Sequence, residues 1–178
     1  MITLFDHDPG WIVEADLLIG ELTREFGSHT ARIDHVGSTA VPGLAAKPKL
    51  HFDMILKQGI RPEALRDRLL TFGYADHGYR FRQDEIQMTR PTARLSAPAT
   101  NERSDGIVSH RLCLCRPDCA AAADRRRFRD ALRCDAALAA EYGRLKHRLA
   151  AAQGDPPDWE SYSAGKSAFI NTVLSADR

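Results

Sequence analysis

An α+β fold with α/β-type layering is the prediction, and three observations carry it. Strand-like and helix-like segments are mixed through the first two thirds of the chain. Helical patterning then takes over from Pro117 onward. Turn signals, not repeats or low-complexity tracts, separate the segments. Asp8-Pro9 is a helix start, with Asp as N-cap and Pro in the first turn; Trp11, Ala15, Leu18, Ile19 and Leu22 then recur at helical spacing up to Gly27. Residues 30 to 36 (TARIDHV) read as a strand. Residues 49 to 56 (KLHFDMIL) alternate, with Leu50, Phe52 and Met54 on one face and Lys49, His51 and Asp53 on the other. A short amphipathic helix is expected over 62 to 72 and strands over 74 to 82 and 85 to 90. A polar loop follows over 91 to 106, and a further strand over 107 to 115. Helices are expected over 119 to 133, 135 to 152 and 158 to 175, the last two parted by Gly154-Asp155-Pro156-Pro157.

The 178 residues fit a single domain, 1 to 178, with room for a hydrophobic core. A formal net charge of +1 supplies no global field to draw in nucleic acid or an anionic membrane, and neither is expected as a partner. The start, MITLFDHDPGW, lacks the basic and apolar regions of a signal peptide, and no apolar run approaches a membrane span. Cys113, Cys115, Cys119 and Cys134 match neither a secreted disulfide framework nor paired zinc knuckles. The expectation is reduced thiols in a cytoplasmic protein, packing as small apolar groups.

The most informative stretch is HVGSTAVPGLAAKPKLHFDMIL, residues 35 to 56. A Gly-Ser turn after a strand offers backbone N–H groups to an anion, Ser38 and Thr39 add hydroxyls, and Lys47 adds charge. It is not a P-loop: Gly37 and Gly43 are one residue too far apart, and Lys47 neither follows the second glycine nor precedes a Ser or Thr. Nucleotidyl transferases offer another template, a Gly-Ser turn followed by two acids at i and i+2 on the next strand. Those positions share a face and can share metal ions. Here they are His51 and Asp53. The same stretch also admits a plainer use, with Gly37 supplying a positive φ, Ser38 and Thr39 capping a turn, and Lys47 solvated.

HVGSTAVPGLAAKP resembles the signature of the GrpB family, which has a nucleotidyltransferase fold. The resemblance extends through DHDPGW, SHRLCLC, FRDALRCDAALAAEYGRLKHRLA and SYSAGKSAFINTVL, nearly the whole chain. It implies a nucleotidyltransferase-like mixed β-sheet packed with helices and a helical C-terminal part. Gly37 and Ser38 match the family's Gly-Ser turn, Lys47 its lysine before the second strand, Asp53 its second acid, and Lys166 a lysine of the closing helix. His51 stands where members usually carry an acid. The family's metal would be Mg²⁺ or Mn²⁺, which prefer oxygen ligands, so His51 is the main departure.

That departure suggests a second ligand set. His35, His51, Asp53 and His110 would suit Zn²⁺, Mn²⁺ or Fe²⁺ if their strands are neighbours. The basic run from Asp124 to Arg129 reads as a solvated helix face with Phe128 turned to the core. Two function classes follow. One is an enzyme moving a nucleotidyl or phosphoryl group from a nucleoside triphosphate to a small acceptor. In it Asp53, His51 and Lys47 carry the chemistry, and Gly37, Ser38, Thr39 and Lys166 hold phosphate. The other is a non-catalytic binder of a nucleotide or small anion. The partly apolar helical end is free to pack on the sheet or to form a homodimer.

Overall fold

The computed structural model describes residues 2–80, 82–92, 94–95 and 109–176. Helix α1 (Gly10–Phe26) starts where expected, with the Asp8 carboxylate accepting the Gly10 N–H at 2.8 Å. Strands β1 (Thr30–Val36) and β2 (Lys49–Leu56) flank a three-residue 3-10 turn, Ser38–Ala40. Helix α2 (Pro62–Thr71) carries Pro in its first turn. Then come β3 (Ala75–Asp76), β4 (Glu85–Arg90) and β5 (Ser109–Cys115). The chain ends in α3 (Ala120–Cys134), α4 (Ala136–Ala151), α5 (Trp159–Ala164) and α6 (Ser167–Ala176). Asp135 caps α4 by accepting the Ala137 and Leu138 N–H groups, and Asp158 caps α5 in the same way.

Two expected elements are shorter than the pattern suggested. The strand over 74 to 82 is only two residues long, because Asp76 accepts the Gly78 N–H at 2.7 Å and Gly78 turns the chain at a φ of 61°. The helix over 158 to 175 breaks at Gly165-Lys166. A Cβ on Gly165 would lie 2.6 Å from Leu149 Cδ2, so the break sits where the chain presses against α4. Most of the expected loop over 91 to 106, and residues 107 and 108 of the strand after it, lie outside the described residues.

The five strands form one mixed sheet in the order β1-β2-β5-β4-β3, with β2 and β5 parallel and the other neighbours antiparallel. The alternation in β2 separates two environments. Leu50, Phe52, Met54 and Leu56 join Leu112, Leu114, Ile86 and Met88 under α1 and α2, and this is the main core. Truncating one of these, as in Leu112→Ala, costs about 2–5 kcal/mol. The other face carries His51, Asp53, Cys113, Cys115, Glu85 and Gln87. Helix α3 crosses it, burying Ala121 and Ala122 against Ile55 and the cysteines. The helical end packs on the molecule itself: Phe128, Tyr142 and Phe169 stack around Val41 and Leu44. Among the described residues no helix is long and apolar enough to cross a membrane.

Candidate functional site

The Gly-Ser turn opens on Gly37, whose φ of 77° and ψ of −173° belong to glycine. A Cβ there would also meet His51 Nδ1 at 3.3 Å. This close approach brings the turn onto the polar face of β2. A cavity of about 180 Å³ lies beside it, and its walls include Ser38, Lys47, Lys49, His51, Lys146 and Lys166. Among the described residues no Asp or Glu lines it. Lys146 projects from the buried stripe of α4, donating to Ser38 Oγ at 3.0 Å and to the carbonyl of Ala45. Lys47 lies 4.3 Å from the centre of the Trp159 ring, and Lys166 lies 4.3 Å from that of Tyr162.

The electrostatics follow from this crowding of like charge. Burial, with the Lys166 and Lys47 ammoniums nearby, lowers Lys146 to about 7. Burial and Lys47 lower Lys166 to about 8. Lys47 and Lys49 are lowered by desolvation and by Arg111. Burial first, then Arg111 and the lysines, holds the His51 imidazole well below its ordinary value and therefore neutral at pH 7. Each of these lysines is destabilised as a cation by burial and by neighbouring positive charge, and an anion such as phosphate would offset that repulsion.

Beyond His51 the same face holds a second constellation. Asp53, only 1% exposed, lies next to Glu85, and Arg125 of α3 bridges them. Arg125 Nε donates to Asp53 Oδ2 at 2.8 Å and its amino groups donate to Glu85 at 2.5 and 3.3 Å. Burial opposes the Arg125 charge, but the Glu85 hydrogen bond and the Asp53 charge more than offset this and keep it firmly protonated. Burial raises Asp53 to about 6 against the pull of Arg125, with Glu85 and Asp34 pushing the same way as burial. Asp34 is directly opposite Asp53 in register. Asp53 Oδ1 is buried and accepts no hydrogen bond from the described residues.

These positions revise several expectations. Gly37, Ser38, Lys47, His51 and Lys166 do converge on one cavity, with Asp53 in the adjoining one. Thr39 lines the first cavity, and its hydroxyl is hydrogen-bonded to His35 Nε2 at 3.0 Å. His35 and His110 do not join His51 and Asp53. In register His35 faces Phe52 and His110 faces Leu50, which puts both imidazoles on the core side of the sheet. His35 stacks on Phe52, and His110 is held by the Thr92 carbonyl and the Tyr74 hydroxyl; burial lowers each to about 3. The four-residue transition-metal set is therefore split by the sheet. The basic run is not a solvated face either: Arg125 holds the carboxylates, Arg127 bonds the Leu174 carbonyl, and Arg129 bonds the His35 carbonyl.

Sequence reasoning missed Arg125 and Lys146 and left Glu85 unplaced. The signals were present. Arg125, Arg129 and Arg133 recur every four residues along one side of α3, and Lys146 sits between Tyr142 and Ala150 on the buried stripe of α4. Glu85 shares its face with Gln87, which pairs with Cys113 beside Asp53.

A family-type Mg²⁺ or Mn²⁺ needs carboxylate oxygens open to it. The orphaned Asp53 Oδ1 meets that need. Asp53 Oδ2 and both Glu85 oxygens do not, because Arg125 takes them, and His51 adds nitrogen where oxygen is wanted. The residues do not fit a pair of such ions; a guanidinium fills the place between the carboxylates. A larger open groove, about 720 Å³, lies behind the turn, and its walls include Asp6, Arg133, Arg144 and His147.

The sheet order, the Gly-Ser turn against β2 and the helical end define an α+β domain, a five-stranded mixed sheet packed with helices. The crystal structure of conserved protein GrpB from Enterococcus faecalis has this fold, with a TM-score of 0.78, 24% identity and coverage of 98% of this chain and 96% of that one. The family model described as GrpB protein matches residues 1–176, and the chain belongs to that family. A UPF0157 protein of Streptomyces coelicolor is 31% identical over 176 residues, covering 98% of this chain and 83% of the relative. Another, from Halalkalibacterium halodurans, is 25% identical over 178 residues, covering 97% and 80%. A dephospho-CoA kinase of Mycolicibacterium paratuberculosis is 27% identical over 113 residues; the match takes in 62% of this chain but only 27% of that protein's length.

Proposed function

We propose that this GrpB-family protein binds the phosphate chain of a nucleotide in the cavity between the Gly-Ser turn and the C-terminal helices. One observation carries the reading: Lys47, Lys49, Lys146 and Lys166 crowd a cavity that no carboxylate of the described residues lines. The Ser38 hydroxyl and the lysines supply donors for phosphate oxygens. The Lys47 and Lys166 ammonium groups lie over the Trp159 and Tyr162 rings. Arg125 neutralises Asp53 and Glu85 internally, so binding needs no divalent cation at those carboxylates.

A second reading is transfer of a nucleotidyl or phosphoryl group to a small acceptor, and the unpartnered Asp53 Oδ1 favours it. Asp53, raised to about 6, is ionised at pH 7 and suited to take the proton of an acceptor hydroxyl. The acceptor oxygen would bond to phosphorus as the bond to the leaving phosphate breaks, with the lysines stabilising the leaving charge. Thermal-shift titration with ATP, GTP, CTP, UTP and dephospho-CoA (the last because one relative bears that kinase's name), each with and without Mg²⁺ or Mn²⁺, tests the binding reading. Stabilisation by a nucleotide without added metal supports it, and no shift with any member refutes it. Product analysis decides the second reading: turnover that survives Asp53→Asn removes Asp53 as the base.

A further inference from the structure

Glu85 opens β4, Cys115 closes β5, and Cys119 is the N-cap of α3. Glu85 and Cys115 are direct cross-strand partners, and the turn between Cys115 and Cys119 folds the second thiol back over the pair. Their ligand atoms all lie within 4.8 Å of one another, with Cys115 Sγ 3.8 Å and Cys119 Sγ 3.7 Å from Glu85 Oε2. A tetrahedral Zn²⁺ with ordinary bonds to sulfur and carboxylate oxygen sets such ligands about 3.5–3.8 Å apart. The three atoms therefore stand close to a coordination triangle, and all three residues are buried.

What occupies the triangle's edge is Arg125. Its amino nitrogen lies 2.5 Å from Glu85 Oε2 and 3.7 Å from Cys115 Sγ. A cavity of about 180 Å³, walled in part by Arg82, Glu85, Cys113 and Arg125, leads to this point. We propose that Glu85, Cys115 and Cys119 form a thiolate–carboxylate site for a Zn²⁺-class divalent cation, filled in exchange for the Arg125 guanidinium. The two thiols release their protons on binding. Three protein ligands leave a fourth position open, and the soft pair of sulfurs selects against Mg²⁺. Arg125, displaced from Glu85, stays held by Asp53 alone. The proposal is independent of the nucleotide reading, since neither thiol lines the lysine cavity.

The test uses fully reduced protein carrying Cys134→Ala, which removes the exposed thiol. Cd²⁺ serves as a spectroscopic probe for thiolate-to-metal charge transfer, and Zn²⁺ is titrated in competition with a chromophoric chelator. The expected result is one equivalent of Cd²⁺ bound with a charge-transfer band, displaced by Zn²⁺ and unaffected by excess Mg²⁺. Adding Cys119→Ser abolishes the band while the far-ultraviolet circular dichroism is kept. Arg125→Met raises Zn²⁺ affinity, because the guanidinium that competes for Glu85 is gone. Absence of a band in the Cys134→Ala protein overturns the proposal whatever the other variants do. A band that persists when Cys115 and Cys119 are both serine overturns it too. A lower Zn²⁺ affinity in Arg125→Met overturns the exchange.

Discussion

Lys146 is a cation buried at a large cost, and replacing it by Met measures that cost. The residue is 3% exposed, and its pKa falls to about 7 from an ordinary 10.5. Between those values the unfolded chain holds a proton that the folded chain releases. Stability linked to this residue therefore rises with pH from about 7 to 10.5 and is lowest below 7. Integrating that linkage between pH of about 6.5 and about 9.5 gives roughly 3 kcal/mol. Lys146→Met keeps the length of the side chain and removes the titration. Thiols and phenols that also titrate in this range, Cys113 and Tyr74 among them, are common to both proteins and cancel in the comparison. Urea unfolding in anion-free buffer at both pH values is the assay. The variant should be favoured over the parent at the lower pH, and its advantage should shrink by roughly 3 kcal/mol at the higher one. Inorganic tripolyphosphate should close the gap at the lower pH by stabilising the ammonium. Parallel pH profiles for the two proteins would refute the reasoning, because they would mean that Lys146 carries its charge without strain.

Three further outcomes follow. Gly37→Ala forces a side chain to a φ of 77° and against His51, so it should cost about 1–3 kcal/mol in urea unfolding and weaken nucleotide binding; an unperturbed variant would mean the turn tolerates a side chain. Arg125→Met strands two buried carboxylates. With a third of the Arg125 side chain exposed the loss should lie near the lower end for a broken pair, about 3 kcal/mol, and it should grow as pH rises past about 6, where Asp53 ionises. His110 is buried neutral at a pKa of about 3, so the unfolded chain takes up its proton first as pH falls below 6.5; parent stability should decline from there toward 3, and His110→Gln should show a shallower decline in thermal melts, an equal slope counting against the assignment.

The period-two pattern of KLHFDMIL correctly divided β2 into a core face and a polar face, because that strand is buried on both sides by different layers. The helical end was legible for the same reason, except at Gly165, where a close approach to Leu149 interrupts a pattern that periodicity reads as continuous. The Gly-Ser turn, Lys47, Lys166 and His51 were found because they are close in sequence or lie at positions matching a known motif. His35 and His110 were misplaced because their facing depends on strand register, which a single sequence does not state. Arg125 and Lys146 were missed for a different physical reason. Long basic side chains are ordinarily solvated, and only the fold reveals that carboxylates and a polar turn lie beneath these two.

Isothermal titration with tripolyphosphate and with ATP shows whether the four lysines hold a phosphate chain. One site per chain is expected, with proton uptake on binding and affinity that falls as pH rises through about 7 to 8. A Lys146→Met, Lys166→Met double variant should bind at least about tenfold more weakly, consistent with losing two charge-assisted contacts. Equal affinity in parent and double variant, or no binding to either, would contradict the account.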